Sequence, residues 1–167
     1  MNAPLTAADV IRLLKLQPLP IEGGYFRETY RSADSLEAPR YGSPRSFASA
    51  IYFLLTPDSF SSLHRLRTDE VYHFYLGDPA ELLLLHGDGK SERVLLGHDL
   101  SAGHQAQYVV PRGVWQGSRV LPGGGFSLLG TTMAPGFDPR DFEHGTRREL
   151  LGAYPAQPEL IRSLTRE

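Results

Sequence analysis

A succession of short runs between residues 24 and 132, rich in Val, Tyr, Phe and Leu and each cut off by Gly, Pro, Asp or Ser, constrains this chain more than any other feature. Strands are expected over 24–31, 48–55, 61–66, 70–76, 80–85, 91–96, 107–110, 115–120 and 126–132, with turns at His86-Gly-Asp-Gly89 and Leu121-Pro-Gly-Gly-Gly125. So many short antiparallel strands must hide their edges, which a closed barrel or jelly roll does. Before them, Thr6 can cap a helix carrying Val10, Ile11, Leu13 and Leu14 at helical spacing, ended by Pro18 and Pro20. Beyond Pro139 the pattern turns helical again: Asp138 or Thr146 can cap short helices through Phe142 and through Leu150 and Leu151, and Pro158 can open a last one reaching Leu164. No linker, low-complexity stretch or repeat divides the chain. One domain over 1–167 is expected, with a helical segment at 1–20, a β-barrel at 24–132 and C-terminal helices at 138–165.

Composition excludes several classes of function. A net charge of -2 supplies no basic field to gather nucleic acid or an anionic membrane, so neither is expected as a partner. The absence of cysteine removes disulfides, thiolate metal sites and Cys nucleophiles. The first residues lack a cationic start, an apolar stretch and a small-residue cleavage site, and the run Leu82 to Leu85 is too short to cross a bilayer. A cytoplasmic protein is expected, with that run as a core or dimer-interface strand. The basic residues are arginines apart from Lys15 and Lys90, and arginine forks suit bidentate carboxylate or phosphate binding. Pro122-Gly-Gly-Gly125 lacks the Lys-Ser/Thr ending of a phosphate loop and reads as a hairpin turn.

The run His64-Arg-Leu66-Arg-Thr-Asp-Glu70-Val-Tyr-His73-Phe-Tyr-Leu-Gly77 resembles the first signature of the cupin superfamily, with His64, Glu70 and Gly77 in register and Leu66 where a second His is expected. On a strand His64 and Leu66 share a face, which is why the metal-binding form needs His-x-His. The stretch from Gly103 through Pro111 and Gly113 to Gln116 resembles the second signature, with Gln116 in place of the last His ligand. No metal or other cofactor is expected; the residues left for a divalent metal are His64, Glu70 and Gln116, with His73 added if a bulge shifts its register. The same three can equally form a buried hydrogen-bonded set.

The resemblance extends to the uncharacterised Cupin-5 (DUF985-like) subfamily through Glu22-Gly-Gly-Tyr-Phe-Arg-Glu-Thr-Tyr30, Ile51-Tyr-Phe-Leu-Leu55, Tyr72-His-Phe74, Val110-Pro-Arg-Gly-Val-Trp-Gln116, Ala134-Pro-Gly-Phe-Asp138, Asp141-Phe-Glu143 and Glu149-Leu-Leu151. It implies an all-β double-stranded β-helix, a jelly roll with an N-terminal helix and short C-terminal helices, that forms a homodimer and has no agreed activity. More weakly, Glu22-Gly-Gly-Tyr-Phe-Arg-Glu28 is similar to the opening of the metal-independent deoxysugar nucleotide 3,5-epimerases. In that family a barrel His removes a proton beside a ketone, which implies His64 as base.

A small-molecule pocket inside the barrel is therefore expected. Enolisation needs an oriented base and a group to stabilise the oxyanion. His64 is assigned as base, Glu70 as its orienter and Gln116 as a polar contact, with Arg27, Arg112 and Arg119 for negative charge and Tyr72 and Phe74 as walls. Trp115 should face opposite Gln116, toward the outer sheet or a dimer interface. Asp69 and Glu70 point oppositely on a strand and do not make a carboxylate pair, and His73 falls on the face away from the cavity. The expected activity is a metal-independent isomerase or epimerase of a carbohydrate-like or nucleotide-linked substrate. The alternatives are a non-catalytic ligand-binding cupin and a metal-dependent one.

Overall fold

A computed structural model describes residues 4–166; Met1–Ala3 and Glu167, and the part of the 1–20 and leader-segment expectations that falls on them, lie outside the described residues. In chain order the strands are β1 (Gln17–Pro18), β2 (Tyr25–Arg31), β3 (Ser35–Leu36), β4 (Arg45–Ser46), β5 (Ser49–Leu55), β6 (Phe60–Leu66), β7 (Glu70–Gly77), β8 (Ala80–Leu85), β9 (Ser91–Leu96), β10 (Gln107–Val110), β11 (Trp115–Val120), β12 (Ser127–Met133) and β13 (Phe142–His144). The helices are α1 (Ala7–Leu14), α2 (Arg147–Ala153) and α3 (Pro158–Ser163).

Two antiparallel sheets face each other, one in the order β1-β2-β5-β12-β7-β10 and the other β13-β6-β11-β8-β9. This is the double-stranded β-helix, and the core fills the space between the sheets. Phe53, Leu55, Tyr72, Phe74 and Leu129 from the first sheet pack against Leu82, Leu84, Val94, Leu96 and Val120 from the second. The Leu82 to Leu85 run is buried on both faces. Leu82 and Leu84 enter the barrel, while Leu83 and Leu85 lie under Leu150, Tyr154, Leu160, Ile161 and Leu164 of the C-terminal segment. An apolar run without alternation is what a strand covered on both sides requires.

The outer face of the six-stranded sheet is partly covered by α1, whose Val10 packs with Leu54 and Leu128. Thr6 and Asp9 close a reciprocal capping box at its start. Thr146 caps α2 and Pro158 opens α3. Phe142, by contrast, does not continue a helix. Asp138 caps only a single tight turn, after which β13 adds to the edge of β6 with Phe142 opposite Leu66 and His144 opposite His64. The exposed edge of β6 offers unpaired backbone groups, and a three-residue strand satisfies them.

Along β6 and β11 the register shifts: Gln116 pairs with His64 but Ser118 pairs with Ser61. Ser62 and Leu63 therefore oppose Gly117, a two-against-one bulge. The bulge lets both Ser61 and His64 reach the interior while Leu63 joins the outer cluster under the C-terminal helices.

Candidate functional site

A cavity of about 70 Å³ lies between the sheets at one end of the barrel, and four titratable residues line it: the inward-facing Glu22, His64 and Glu70, and the exposed Glu28, which is paired with Arg31. His64 comes from β6 and Glu70 from β7 of the opposite sheet. Glu22 comes from the loop before β2, where two glycines allow the chain to press against its neighbours. Gly23 has φ +118° and Gly24 φ +70°, and a Cβ on Gly23 would sit 2.1 Å from the Phe60 carbonyl oxygen. With that approach the Ser62 N–H donates to the Glu22 carbonyl at 3.0 Å, and the Ser61 hydroxyl donates to the Glu22 carboxylate.

His64 is fully enclosed, 1 % exposed, and its ring stacks on Phe142 with centroids 4.6 Å apart. Its Nδ1 lies 2.8 Å from the Ser62 carbonyl oxygen. A carbonyl can only accept, so Nδ1 carries the proton and the neutral imidazole keeps its lone pair on Nε2. The expected orienter was Glu70; the backbone of the β6 bulge takes that part, and Glu70 acts on His64 through its charge. Burial holds the imidazole below its ordinary pKa of 6.5, against the opposing pull of Glu70 and the Ser62 carbonyl.

Burial pushes both carboxyls up to about 7. For Glu22 the Ser61 hydroxyl partly offsets this, and for Glu70 the nearby Glu22 charge adds to it while His64, Thr131 and Gln116 oppose it. Two carboxyls so placed resist ionising together. Gln116, beside His64 on β11, donates Nε2–H to Glu70 at 2.8 Å, and its Oε1 is buried without a partner among the described residues. Gln116 itself stands behind the cavity lining, and acts on the site through Glu70.

The expected trio of His64, Glu70 and Gln116 is thus brought together, and Glu22 joins it. Of the expected walls, Tyr72 and Phe74 are buried in the core between the sheets. Burial and the two carboxylates raise the Tyr72 phenol well above its ordinary value, so it stays a proton donor. The cavity wall itself is made by Ile21, Phe26, Ile51, Leu66, Met133 and Phe142. The arginine assignments are corrected in two cases. Arg27 stands over the Tyr52 ring on the outer face of its sheet, and Arg119 with Arg93 pairs the buried Glu81 carboxylate on the outside of the other sheet. Both lie at positions whose strand parity points outward. Arg112 sits in an open cleft at the turn before β11. His73 faces out, between Thr132 and Gln107, and Trp115 packs in the outer cluster beneath Arg65.

Glu22 was not readable as a site residue. It precedes a Gly-Gly turn with no strand periodicity, so nothing local says where its side chain points. The one signal was its position at the head of the stretch that resembles the epimerase opening.

The fold and this inward-facing His/Glu/Gln set define the class as a cupin. A family model described as Cupin superfamily (DUF985) matches residues 8–145, and the chain belongs to that family. Its relatives include the uncharacterized protein YML079W of Saccharomyces cerevisiae, 33% identical over 132 residues; the match covers 72% of this chain and 66% of the yeast protein, just under two thirds of its length. A hypothetical protein from Leishmania major superposes with a TM-score of 0.90 at 38% identity, covering 98% of this chain and 100% of that one. An oxalate decarboxylase from Bacillus subtilis, at 15% identity and a TM-score of 0.55 over 96% of this chain and 38% of that one, shares the fold.

The metal-binding form of the superfamily prompts a test of the donors present. Among the described residues no three His, Cys, Asp or Glu side chains are placed to hold a metal ion. His64 commits Nδ1 to a carbonyl, the Glu22 carboxylate accepts from Ser61 and Gln116 gives its amide nitrogen to Glu70, which leaves Nε2 of His64 as the open nitrogen donor. Short of a three-ligand group, this set is a poor match for a metal ion. Among the described residues no helix is long and apolar enough to cross a membrane.

Proposed function

We propose that this cupin moves protons on a small polar substrate without a metal, in an isomerase- or epimerase-type reaction beside a carbonyl. The observation that supports it most is the fixed tautomer of His64: the Ser62 carbonyl holds Nδ1–H, which leaves Nε2 as a base. In the proposed cycle Nε2 takes the proton from the carbon next to the carbonyl. The carboxyl of the Glu22/Glu70 pair that still carries a proton gives it to the carbonyl oxygen, forming an enol. Return of both protons, with the carbon proton delivered to the other face or to the neighbouring carbon, completes the exchange. A carboxyl with a pKa near 7 is suited to act as both acid and base at neutral pH.

The size of the cavity limits what reacts there. Ligand pockets for whole drug-sized molecules run to roughly 300–1,000 Å³, whereas this one is about 70 Å³. The proposed substrate therefore presents a short reacting end to His64, and a complete sugar ring does not fit. The apolar wall favours a second reading, retention of a small ligand without turnover. A homodimer belongs to the same proposal, with the exposed Tyr75 and Val109 on the outer face of the six-stranded sheet as its contact.

Proton exchange from deuterated water into small hydroxyketones and hydroxyaldehydes separates the two readings. Wild type is expected to exchange, and His64→Gln to lose about 10²–10⁴-fold of that rate. Equal rates in the two proteins would remove the catalytic reading; binding without exchange would establish the second.

A further inference from the structure

Just outside the His64 cavity lies a much larger open cleft, about 640 Å³, and its charge is one-sided. Arg40, Arg65, Arg67 and Arg112 line it against only two carboxylates, Asp141 and Glu143. Both acids are already engaged. Asp141 is 3% exposed and accepts a two-pronged hydrogen bond from the buried Arg45, 2.9 Å on each arm. Glu143 takes the same kind of fork from Arg65, at 2.8 and 2.7 Å. Arg67 reaches Asp141 only at 3.7 Å and otherwise bonds the Arg40 carbonyl. Arg112 has no side-chain partner among the described residues; its backbone N–H donates to Asp69 at 2.8 Å, which fixes the turn and holds the guanidinium at the cleft.

Leu66 connects the two spaces, since it lines the cleft and the inner cavity alike. Phe142, stacked on His64, lies between the cleft residues Asp141 and Glu143 in the chain and pairs with Leu66. The cleft is thus separated from the acid/base group by the thickness of a side chain.

We infer that this cleft binds a multiply charged oxyanion, a phosphoryl or polycarboxylate group, through Arg67 and Arg112. Guanidinium forks match both groups, and four arginines against two saturated acids leave a positive field that an anion completes, with Arg112 unpaired among the described residues and Arg67 held by a long ion pair, the Arg40 carbonyl and the Tyr41 ring. The inference deepens the proposed function, on which its catalytic meaning rests: the anion is the handle of a substrate whose uncharged short end enters the His64 cavity. A large charged part outside and a small reacting part inside also reconcile the two volumes.

The test uses the full chain and two probes, pyrophosphate and citrate, by calorimetric titration at low and at raised salt. At least one is expected to bind, more weakly as salt rises, and which one binds tells a phosphoryl handle from a polycarboxylate one. Arg112→Gln is expected to weaken it about tenfold or more, and Arg67→Gln with Arg112→Gln further. Arg112 is exposed and makes no ion pair, so the single variant keeps the fold. His64→Gln is expected to bind the same anion as wild type does, so a loss of exchange chemistry and a loss of anion binding are read separately. Binding of neither probe, or equal affinity in wild type and the Arg112→Gln variant, overturns the inference.

Discussion

Replacing Glu22 by Gln tests the electrostatics of the cavity through stability alone. In the unfolded chain Glu22 ionises near its ordinary value of 4.5, whereas in the fold burial pushes it up to about 7. Between those values the folded protein binds a proton that the unfolded chain has lost, so this contribution to stability is complete below pH 4.5 and is lost as pH rises through 7. At ~1.4 kcal/mol for each tenfold change in proton affinity, the rise corresponds to about 3 kcal/mol. Glu70 is raised by the same burial and by Glu22 itself, so the pair contributes less than twice that figure. His64 opposes the trend. Its folded pKa is depressed, so its contribution is present above 6.5 and is lost as pH falls toward the lower folded value.

Gln is neutral throughout, and the comparison of Glu22→Gln with wild type reads Glu22 together with its coupling to Glu70. Urea unfolding at pH 5, 6, 7 and 8 is the assay, with the free energy taken from midpoint and slope. Relative to wild type, the variant is expected to gain about 3 kcal/mol between pH 5 and pH 8. Parallel pH profiles for the two proteins would refute the buried, shared charge and with it the acid assigned to the proposed reaction.

Asp141→Ala takes the two-pronged partner from the buried Arg45 guanidinium and leaves Asp138, 3.7 Å away, as its remaining carboxylate; it is expected to destabilise by about 3–5 kcal/mol in equilibrium denaturation. Gly23→Ala forces a Cβ against the Phe60 carbonyl at a backbone angle that L side chains avoid. It should lower stability by about 1–3 kcal/mol for the backbone conformation alone and disturb the Glu22 placement, visible as a changed pH profile. Leu83→Ala removes a fully buried side chain between β8 and the C-terminal helices; a loss of about 2–5 kcal/mol is expected, and a loss under 1 kcal/mol would mean those helices are loosely docked.

Most of the barrel was legible because strand period and turn residues are local properties. The runs at 80–85, 91–96, 107–110 and 115–120 coincide with β8 to β11. The caps at Thr6, Thr146 and Pro158 were legible for the same reason. The resemblance to the cupin signatures placed His64, Glu70 and Gln116 inward, and parity then put His73 and Trp115 outward. Phe142 was misread as helical because its strand exists only through pairing with β6. Arg27 and Arg119 were assigned to the cavity on charge alone, although parity, applied to them as it was to Trp115, would have turned them outward.

By itself, then, the sequence determined the cupin barrel and the residue types that look into it. The strands follow from alternation and turn chemistry, which act over a few residues, and the cupin identity and its inward residues from the resemblance of the two motifs at 64–77 and 103–116 to the cupin signatures. Tertiary structure alone decided that a loop carboxylate, Glu22, meets Glu70 and His64, that a backbone bulge orients the imidazole, and that arginines from separate loops and strands converge beside Leu66. Those features depend on burial and on contacts between distant segments, and burial sets both the proton affinities and the field at the site.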